Sequence, residues 1–538
     1  MVDQQEVPEA VDAARIDVVS QRGERGFAQV PVPVVVVEHL EKRYGAVVAV
    51  SDVSFQVEAG EIFGILGPNG SGKTTTVECL QGLRGFDGGL VRVLGFDPAR
   101  QANELRRHIG AQLQESALPD RMRVWEALRL FASLRPGGLA WESVMDEWGL
   151  ADKRNAAFAS LSGGQQQRLF VALALVNAPK VVFLDEMTTG LDPASRRVAW
   201  ELIDRVREQG ATVVMVTHFM DEAERLCDRV AVIHRHTARG TPGCGHRDRA
   251  TPCPCCGGAG GPRHRPGRPR GAPGQPGRRL PGPHRREQVM RTAVRLGWLE
   301  IKLLIREPLT LVFSLALPLI VLLILGGVFG NTASAPGQPV FYRGVGPMSY
   351  YVPAYLCLVI ASVCVISIPT HLAGYRERGV LKRYRAASLG IGVIAGSELI
   401  VAFALSAVSS VILLVAARLV YTFDAPSSPI GVVLVFCYLT VGFTAMGLLL
   451  GGLVPTARAA QAVGLLIWFV MLMVGGAGPP REVLTGAMGY VSDATPLWYA
   501  VQIMHQPWLG LDPGTSWWVF TGVAVISGSL ALRLFRWE

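Results

Sequence analysis

The sequence predicts two folds in series: an α/β domain over residues 31–242 and an all-α membrane domain of six helices over 290–538. Three observations carry that expectation. Short apolar runs alternate with longer amphipathic stretches in the first half, long apolar runs dominate the second, and a segment almost without large hydrophobic side chains, 243–289, separates them. Half of the chain is hydrophobic (50%), only 18% is charged and the mean hydropathy is +0.31, the balance of a membrane protein with a sizeable soluble part. At 538 residues each part is long enough to bury its own core.

Residues 1–30 are polar and lack the basic-then-apolar order of a secretory signal, so they are expected to form a polar extension on the cytoplasmic side. The runs VVVVEHL, SDVSFQV, EIFGILG, VVFLD and TVVMVTH then read as strands, spaced by helical stretches such as SRRVAWELIDRVREQ. Between a strand and a helix lies GPNGSGKTT, comprising Gly67, Pro68, Asn69, Gly70, Ser71, Gly72, Lys73, Thr74 and Thr75, which fits the phosphate loop G-x-x-x-x-G-K-[ST]. Its glycines let backbone N–H groups turn inward around a nucleotide's phosphates. Lys73 would reach the β- and γ-oxygens, Thr74 would ligate Mg2+, and the helix N-terminus behind them favours an anion. Farther on, VVFLDE ends a strand in Asp185 and Glu186. A carboxylate at that edge can hold Mg2+ through water, and the next can polarise an attacking water.

LSGGQQQR, Leu161 to Arg168, decides the reading. With it the sequence resembles the ATP-binding cassette family from about Val34 to Pro242. The resemblance implies that the nucleotide is ATP, that Tyr44 stacks on adenine, and that Gln114 in IGAQLQ joins Thr74 and Asp185 around Mg2+ and links the nucleotide to the membrane half. It implies that Ser162, Gly163, Gly164 and Gln165 form the signature, that Asp192 in GLDP is a dimer-contact aspartate, and that His218 in VMVTH is the γ-phosphate switch acting with Glu186. In the family two such domains meet head to tail. A chain with one copy is therefore expected to work as a homodimer that closes on ATP and reopens after hydrolysis.

In the second half, spans are expected at 309–329, 351–372, 391–416, 429–453, 460–478 and 516–534, each near the ~20 apolar residues that a bilayer core demands. Pro318 and Pro353 fall in or at the start of spans, where neighbouring helices tolerate them. With the amino end inside, the cytoplasmic side carries twelve Lys and Arg residues and the outside only Arg343, Arg418 and Arg481. That bias predicts a multi-pass protein of the cytoplasmic membrane with both termini cytoplasmic. Before the first span, TAVRLGWLEIKLLIRE sets Val294, Trp298, Ile301 and Ile305 on one helical face and Arg291, Arg295, Lys302 and Arg306 on another, the pattern of a helix lying along the lipid surface. The loop GYRERGVLKRYRAASL resembles the cytoplasmic loop of type-2 ABC exporter permeases, which abuts the ATPase, although its basic residues serve equally as a topology signal. The outer segment ending in Pro496–Tyr499 resembles the same family. Glu398, the one acid within an expected span, is expected to be wetted or paired with a loop arginine.

The separating segment holds +8 of the chain's formal +9, together with Cys244, Cys253, Cys255 and Cys256. Basicity is therefore local, and no nucleic-acid partner is expected. Cys253 and Cys256 have C-x-x-C spacing without a second pair, so no structural metal is expected either. Two readings of the segment stay open: a flexible tether, or a frameshift joining an ATPase gene to a permease gene that began at Met290. The family likeness stops at Gly243, where a final short helix would fall. The nearest resemblance is to the daunorubicin-resistance type of multidrug exporter, which implies efflux of a hydrophobic drug or lipid-like compound and antibiotic resistance. Two alternatives are a polysaccharide or lipid-linked cargo, and a fused product with weak or no coupling. A soluble ABC protein of DNA repair or translation conflicts with the six spans.

Overall fold

The computed structural model describes residues 14–20, 33–235, 283–306, 316, 319–324, 327, 346–535 and 537, apart from 115–116, 136–137, 190, 480, 482–483 and 485. The span expected at 309–329 and most of the segment 243–289, with its four cysteines, lie outside the described residues.

The first half runs β1 (Ala14–Ser20), β2 (Pro33–Tyr44), β3 (Val47–Glu58), β4 (Ile62–Leu66), α1 (Lys73–Leu80), β5 (Gly88–Val93), α2 (Ala102–Leu105), β6 (Ile109–Gln112), α3 (Val124–Ala132), α4 (Trp141–Glu147), α5 (Gly163–Leu175), β7 (Val181–Asp185), α6 (Pro193–Glu208), β8 (Thr212–Thr217), α7 (Met220–Leu226) and β9 (Arg229–Arg235). Six strands form a sheet in the order β1-β9-β4-β8-β7-β6, parallel except for β1. Every residue of β7 and β8 is buried, as the continuous apolar runs VVFLD and TVVMVT require of strands covered on both faces. A second, antiparallel sheet, β3-β2-β5, packs Val37, Val53 and Val91 onto Phe63, Ile65 and Val77 of the first layer. β1 corrects one expectation. Within the supposed polar extension, ARIDVVS pairs antiparallel with β9, where its β-branched residues favour a strand and cover an otherwise open sheet edge.

The second half runs α8 (Pro283–Ile305), α9 (Pro347–Glu377), α10 (Val380–Ala386), α11 (Ile391–Val420), α12 (Pro429–Leu453), α13 (Ala457–Val474), α14 (Ala487–Ala494), α15 (Pro496–Leu509) and α16 (Ser516–Leu534). Five of these, α9, α11, α12, α13 and α16, are long and apolar enough to cross a membrane. α9 is the hub, its apolar stretch 89% buried against 17–39% in the other four. A π turn at Val363–Ser367 widens α9, and glycines let its neighbours reach it. A Cβ at Gly447 of α12 would lie 2.0 Å from the Cys364 carbonyl, and one at Gly464 of α13 2.5 Å from that of Val365.

α8 starts at Pro283 and so corrects the boundary drawn at Met290. Proline suits the first helical position, and Glu287 pairs with Arg291 one turn on at 2.6 Å. One face of α8 buries Ala293, Leu296, Leu299 and Leu303, with Ala293 meeting Gly396 and Gly297 meeting Ile400 on α11. Val294, Trp298 and Ile305 stay exposed on the other. A helix apolar on both sides, packed on protein along one and open along the other, suits a lipid interface.

Candidate functional site

The strand order sets the site. β4, β8, β7 and β6 are neighbours in the parallel sheet, and at their carboxyl ends stand Gly67, His218, Asp185–Glu186 and Gln114 respectively. Open α/β sheets place ligands at this edge. After β4 the chain turns through Gly70 (φ 75) and Gly72 (φ 95). At Gly72 a side chain is excluded twice over, by that left-handed φ and by the Ala49 carbonyl 2.4 Å from where a Cβ would stand. Lys73 opens α1 and its Nζ donates to the carbonyls of Gly67 at 2.7 Å and Pro68 at 2.9 Å. Burial holds this ammonium below its usual range against the opposing charges of Glu186 and Asp185.

A chain of hydrogen bonds ties the edge together. Thr74 Oγ1 donates to Gln114 Oε1 at 3.2 Å, and Gln114 Nε2 donates to Glu186 Oε2 at 2.6 Å. His218 Nδ1 stands 3.5 Å from the other carboxylate oxygen, Glu186 Oε1. Glu186 takes φ 48, a left-handed conformation that a non-glycine residue adopts at a cost of about 1–3 kcal/mol. Asp185 is only 3% exposed, and its backbone N–H donates to Gln112 Oε1 at 2.9 Å. Burial, joined by the charges of Glu186 and Glu78, pushes its carboxyl up to about 7. Its Oδ1 has no hydrogen-bond partner among the described residues. An orphaned buried carboxylate oxygen beside the Thr74 hydroxyl and the Gln114 carbonyl fits a hard cation that takes oxygen ligands. Among the described residues no group of three His, Cys, Asp or Glu side chains is arranged to hold a metal ion, so phosphate and water oxygens would complete such a shell.

The remaining expected residues sit apart. Tyr44 ends β2 and is 42% exposed, with Lys42 and Arg84 over its ring at 5.4 and 5.6 Å. Ser162 caps α5 in a reciprocal box, accepting from the Gln165 N–H at 3.4 Å while Gln165 Oε1 accepts from the Ser162 N–H at 3.0 Å. Among the described residues Ser162, Gly163, Gly164 and Gln165 make no hydrogen bond to the phosphate loop of their own chain. A Cβ at Gly163 would meet nothing within 4 Å, so nothing inside one chain calls for glycine there. Asp192 caps α6, its carboxylate accepting from the Ser195 N–H at 3.1 Å and Oγ at 2.6 Å.

The family likeness of the basic loop points to a joint between the halves, but sequence reasoning does not give the pairs that form it. Lys382 of α10 pairs at 2.5 Å with Glu78, on the same short helix that begins at Lys73. Arg378 reaches Asp120 at 2.6 Å. Arg383, 2% exposed, lies over Phe170 and Phe131 at 4.3 and 5.6 Å and donates to the Phe170 carbonyl at 3.1 Å, and burial pushes it down to about 9. Arg306, at the end of α8, forks onto Glu126 of α3 through two 2.8 Å bonds. The basic loop thus contacts the first half directly. Glu398 pairs with His371 at 2.8 Å, which corrects the expected arginine. His371 also faces Glu300 at 3.4 Å, to which Tyr375 donates at 2.7 Å. A histidine inside an expected span was the signal available in the sequence.

Comparison with known proteins covers both halves. The family model described as ABC transporter matches residues 50–189, and that described as ABC-2 type transporter matches 293–507. The Nod factor export ATP-binding protein I of Burkholderia lata is 40% identical over 219 residues, 39% of this chain and 72% of that protein. Its namesake in Rhizobium etli is 40% identical over 210 residues, 38% of this chain and 66% of that protein. Among solved structures, an ATP binding subunit of an ABC transporter matches 37% of this chain and 86% of its own, at 28% identity and a TM-score of 0.35.

Proposed function

Because the chain belongs to the ABC transporter family, with its ATPase domain and ABC-2 type membrane domain in one polypeptide, we propose that it is an exporter half. Two copies would close on two MgATP and move a hydrophobic drug or lipid-like compound out across the cytoplasmic membrane. The ATPase takes residues 14–242 and the permease 283–538, with a sixth span at 309–329 and both termini in the cytoplasm. The relatives' name, Nod factor export, supports the outward direction.

The observation that carries this reading is the Lys382–Glu78 pair, because it fixes a permease loop to the helix whose first residues, Lys73 and Thr74, belong to the phosphate loop. Contacts across that joint support a coupled transporter over a fused, uncoupled product. On binding, Lys73 would exchange the Gly67 and Pro68 carbonyls for β- and γ-phosphate oxygens, and Tyr44 would exchange its cations for the adenine. Mg2+ held by Thr74, Gln114 and Asp185 would neutralise charge between the β- and γ-phosphates. Glu186 would polarise the attacking water while His218, on the same carboxylate, contacts the γ-phosphate. The α5 N-terminus at Ser162–Gln165 is closed by its own capping box, with open space at Gly163. A partner's γ-phosphate there would explain the glycine at 163, and Asp192 would sit at the seam.

Proteoliposomes containing the chain, supplied externally with MgATP and a fluorescent hydrophobic dye, test the reading, because chains whose ATPase faces the outer solution would carry the dye into the lumen. ATP-driven dye movement should vanish in Glu186→Gln, and that variant should trap ATP in a two-chain particle. A Glu186→Gln protein that stays monomeric under saturating MgATP overturns the proposal.

A further inference from the structure

At the joint an open cleft of about 510 Å3 is lined among others by Arg84, Arg100 and Arg106 of the ATPase and Arg385 of α10. Arg106 is 9% exposed. One guanidinium nitrogen donates to Asn103 Oδ1 at 2.6 Å, a neutral partner, while Nε and Nη1 are buried without any hydrogen-bond partner among the described residues. Burial and the nearby Arg385 charge push Arg106 down to about 10. The neighbouring acids are engaged elsewhere. Glu78 holds Arg84 and Lys382, Asp97 holds Arg92 at 3.4 Å, and Glu104 leans toward Arg107 at 3.5 Å. Arg84 and Arg100 have Glu78 and Asp97 as partners and Arg385 lies over the Trp537 ring at 5.7 Å, which leaves Arg106 as the buried cation with open donors, an arrangement that is costly unless an anion joins it.

We propose that this cleft binds a phosphate-bearing anion that bridges Arg106 of the ATPase to Arg385 of the permease. Phosphate oxygens match the planar guanidinium fork, and the volume accepts a phosphate group with part of what it esterifies. Arg385 lies between α9 and α11, six residues before α11 begins at Ile391. An anionic phospholipid headgroup and a soluble phosphate compound therefore both have access to the cleft. Filled, the cleft ties the two halves together at one more point, beside the Lys382, Arg378, Arg383 and Arg306 contacts.

The full chain in neutral detergent, with its phosphate loop saturated by Mg2+ and a non-hydrolysable ATP analogue, is titrated with inorganic pyrophosphate at constant ionic strength and followed by thermal melting. Wild type should melt progressively higher. Arg106→Gln and Arg385→Gln should each weaken the apparent affinity about 10- to 100-fold, as loss of a charge-assisted contact implies. Arg385→Gln changes the less buried of the two guanidinium groups. It serves as the surface-side variant should Arg106→Gln fail to fold. Nanodiscs of phosphatidylcholine with and without phosphatidylglycerol separate the sources. A stabilisation by phosphatidylglycerol that leaves pyrophosphate without effect assigns a headgroup, and a pyrophosphate effect that persists assigns a soluble ligand. No shift in wild type with pyrophosphate or phosphatidylglycerol, or equal shifts in wild type and both variants, overturns the proposal.

Discussion

Arg306→Gln removes one half of a clamp between α8 and the ATPase. Glu126 is 4% exposed and accepts three bonds, two from the Arg306 fork at 2.8 Å and one from the Arg123 N–H at 3.0 Å. Arg306 donates to the Arg121 carbonyl at 3.0 Å as well. Stripping one partner from a fully buried pair costs about 3–5 kcal/mol. Arg306 keeps 25% of its side chain in solvent, so water can partly replace it and about 2–3 kcal/mol is expected. In a domain of this size that lowers the ATPase melting midpoint by roughly 4–10 °C. Burial acts to raise the Glu126 carboxyl, but the hydrogen bonds from Arg306 and the Arg123 N–H, with the charges of Arg306 and Lys302, outweigh it and hold the group below its usual value. The folded value is thus depressed, so the clamp's stability is present above the ordinary glutamate range and fades as pH falls through the lowered value. Wild type and Arg306→Gln should accordingly converge in acid. Differential scanning calorimetry of wild type, Arg306→Gln, Glu126→Gln and the double variant at two pH values measures the coupling. A double variant whose loss equals the sum of the singles would refute the clamp, as would a single variant within about 1 °C of wild type.

Three further outcomes follow from the same geometry. Lys382→Ala should leave ATP hydrolysis largely intact, since Glu78 retains Arg84, yet lower dye moved per ATP by roughly tenfold, the scale of a coupling free energy; parallel phosphate-release and transport assays check it. Asp185→Asn removes a buried carboxylate whose value is raised to about 7, so the nucleotide-free protein should melt about 2–4 °C higher above neutral pH while stabilisation by MgATP disappears, which thermal melting with and without Mg2+ reads. In wild type the same raised value makes MgATP affinity climb as pH rises through neutrality, measurable by calorimetric titration. His371→Leu leaves Glu398 without its ion pair and Glu300 with the Tyr375 hydroxyl alone, at a cost of about 3–5 kcal/mol, and Glu398→Leu added to it should recover part of the loss in nanodisc melting; no recovery would sink the network reading.

What the sequence discloses here follows the distance over which the physics acts. The phosphate loop, the strand ending in Asp185–Glu186 and the cap at Ser162–Gln165 are local, so residue spacing alone locates them. Five spans are legible because each long apolar run is itself the physical cause of its helix. The pairs Arg306–Glu126 and Lys382–Glu78 join residues of different domains; the charges are visible in the sequence, but the partner depends on how two folded bodies meet. β1 is illegible for a related reason, since seven residues become a strand only when β9 offers an edge. At Glu398 the expectation of an arginine rested on loop charge, whereas α9 supplies His371 from one helix away at bonding distance.

The permease grips the ATPase at separate points, and the bonds between those points include the ones that ATP must disturb. Lys382 holds Glu78, on the eight-residue helix that starts at Lys73. Arg378 and Arg306 hold Asp120 and Glu126, which lie six and twelve residues beyond Gln114. Thr74, Gln114 and Glu186 are themselves linked by bonds of 3.2 and 2.6 Å. A helix of eight residues is only about 12 Å long and stiff, so Thr74 cannot shift far without carrying Glu78, nor Gln114 without pulling on the segment that Arg378 and Arg306 hold. Drawing Thr74 and Gln114 onto one cation and freeing Glu186 for water would move one grip relative to the others. With Arg383 locked on Phe170 of the helix that the signature caps, a partner's nucleotide at Ser162 would load that same loop from a third side. Such an arrangement would convert small changes around bound phosphates into shear across the basic loop, which a single rigid attachment could not do.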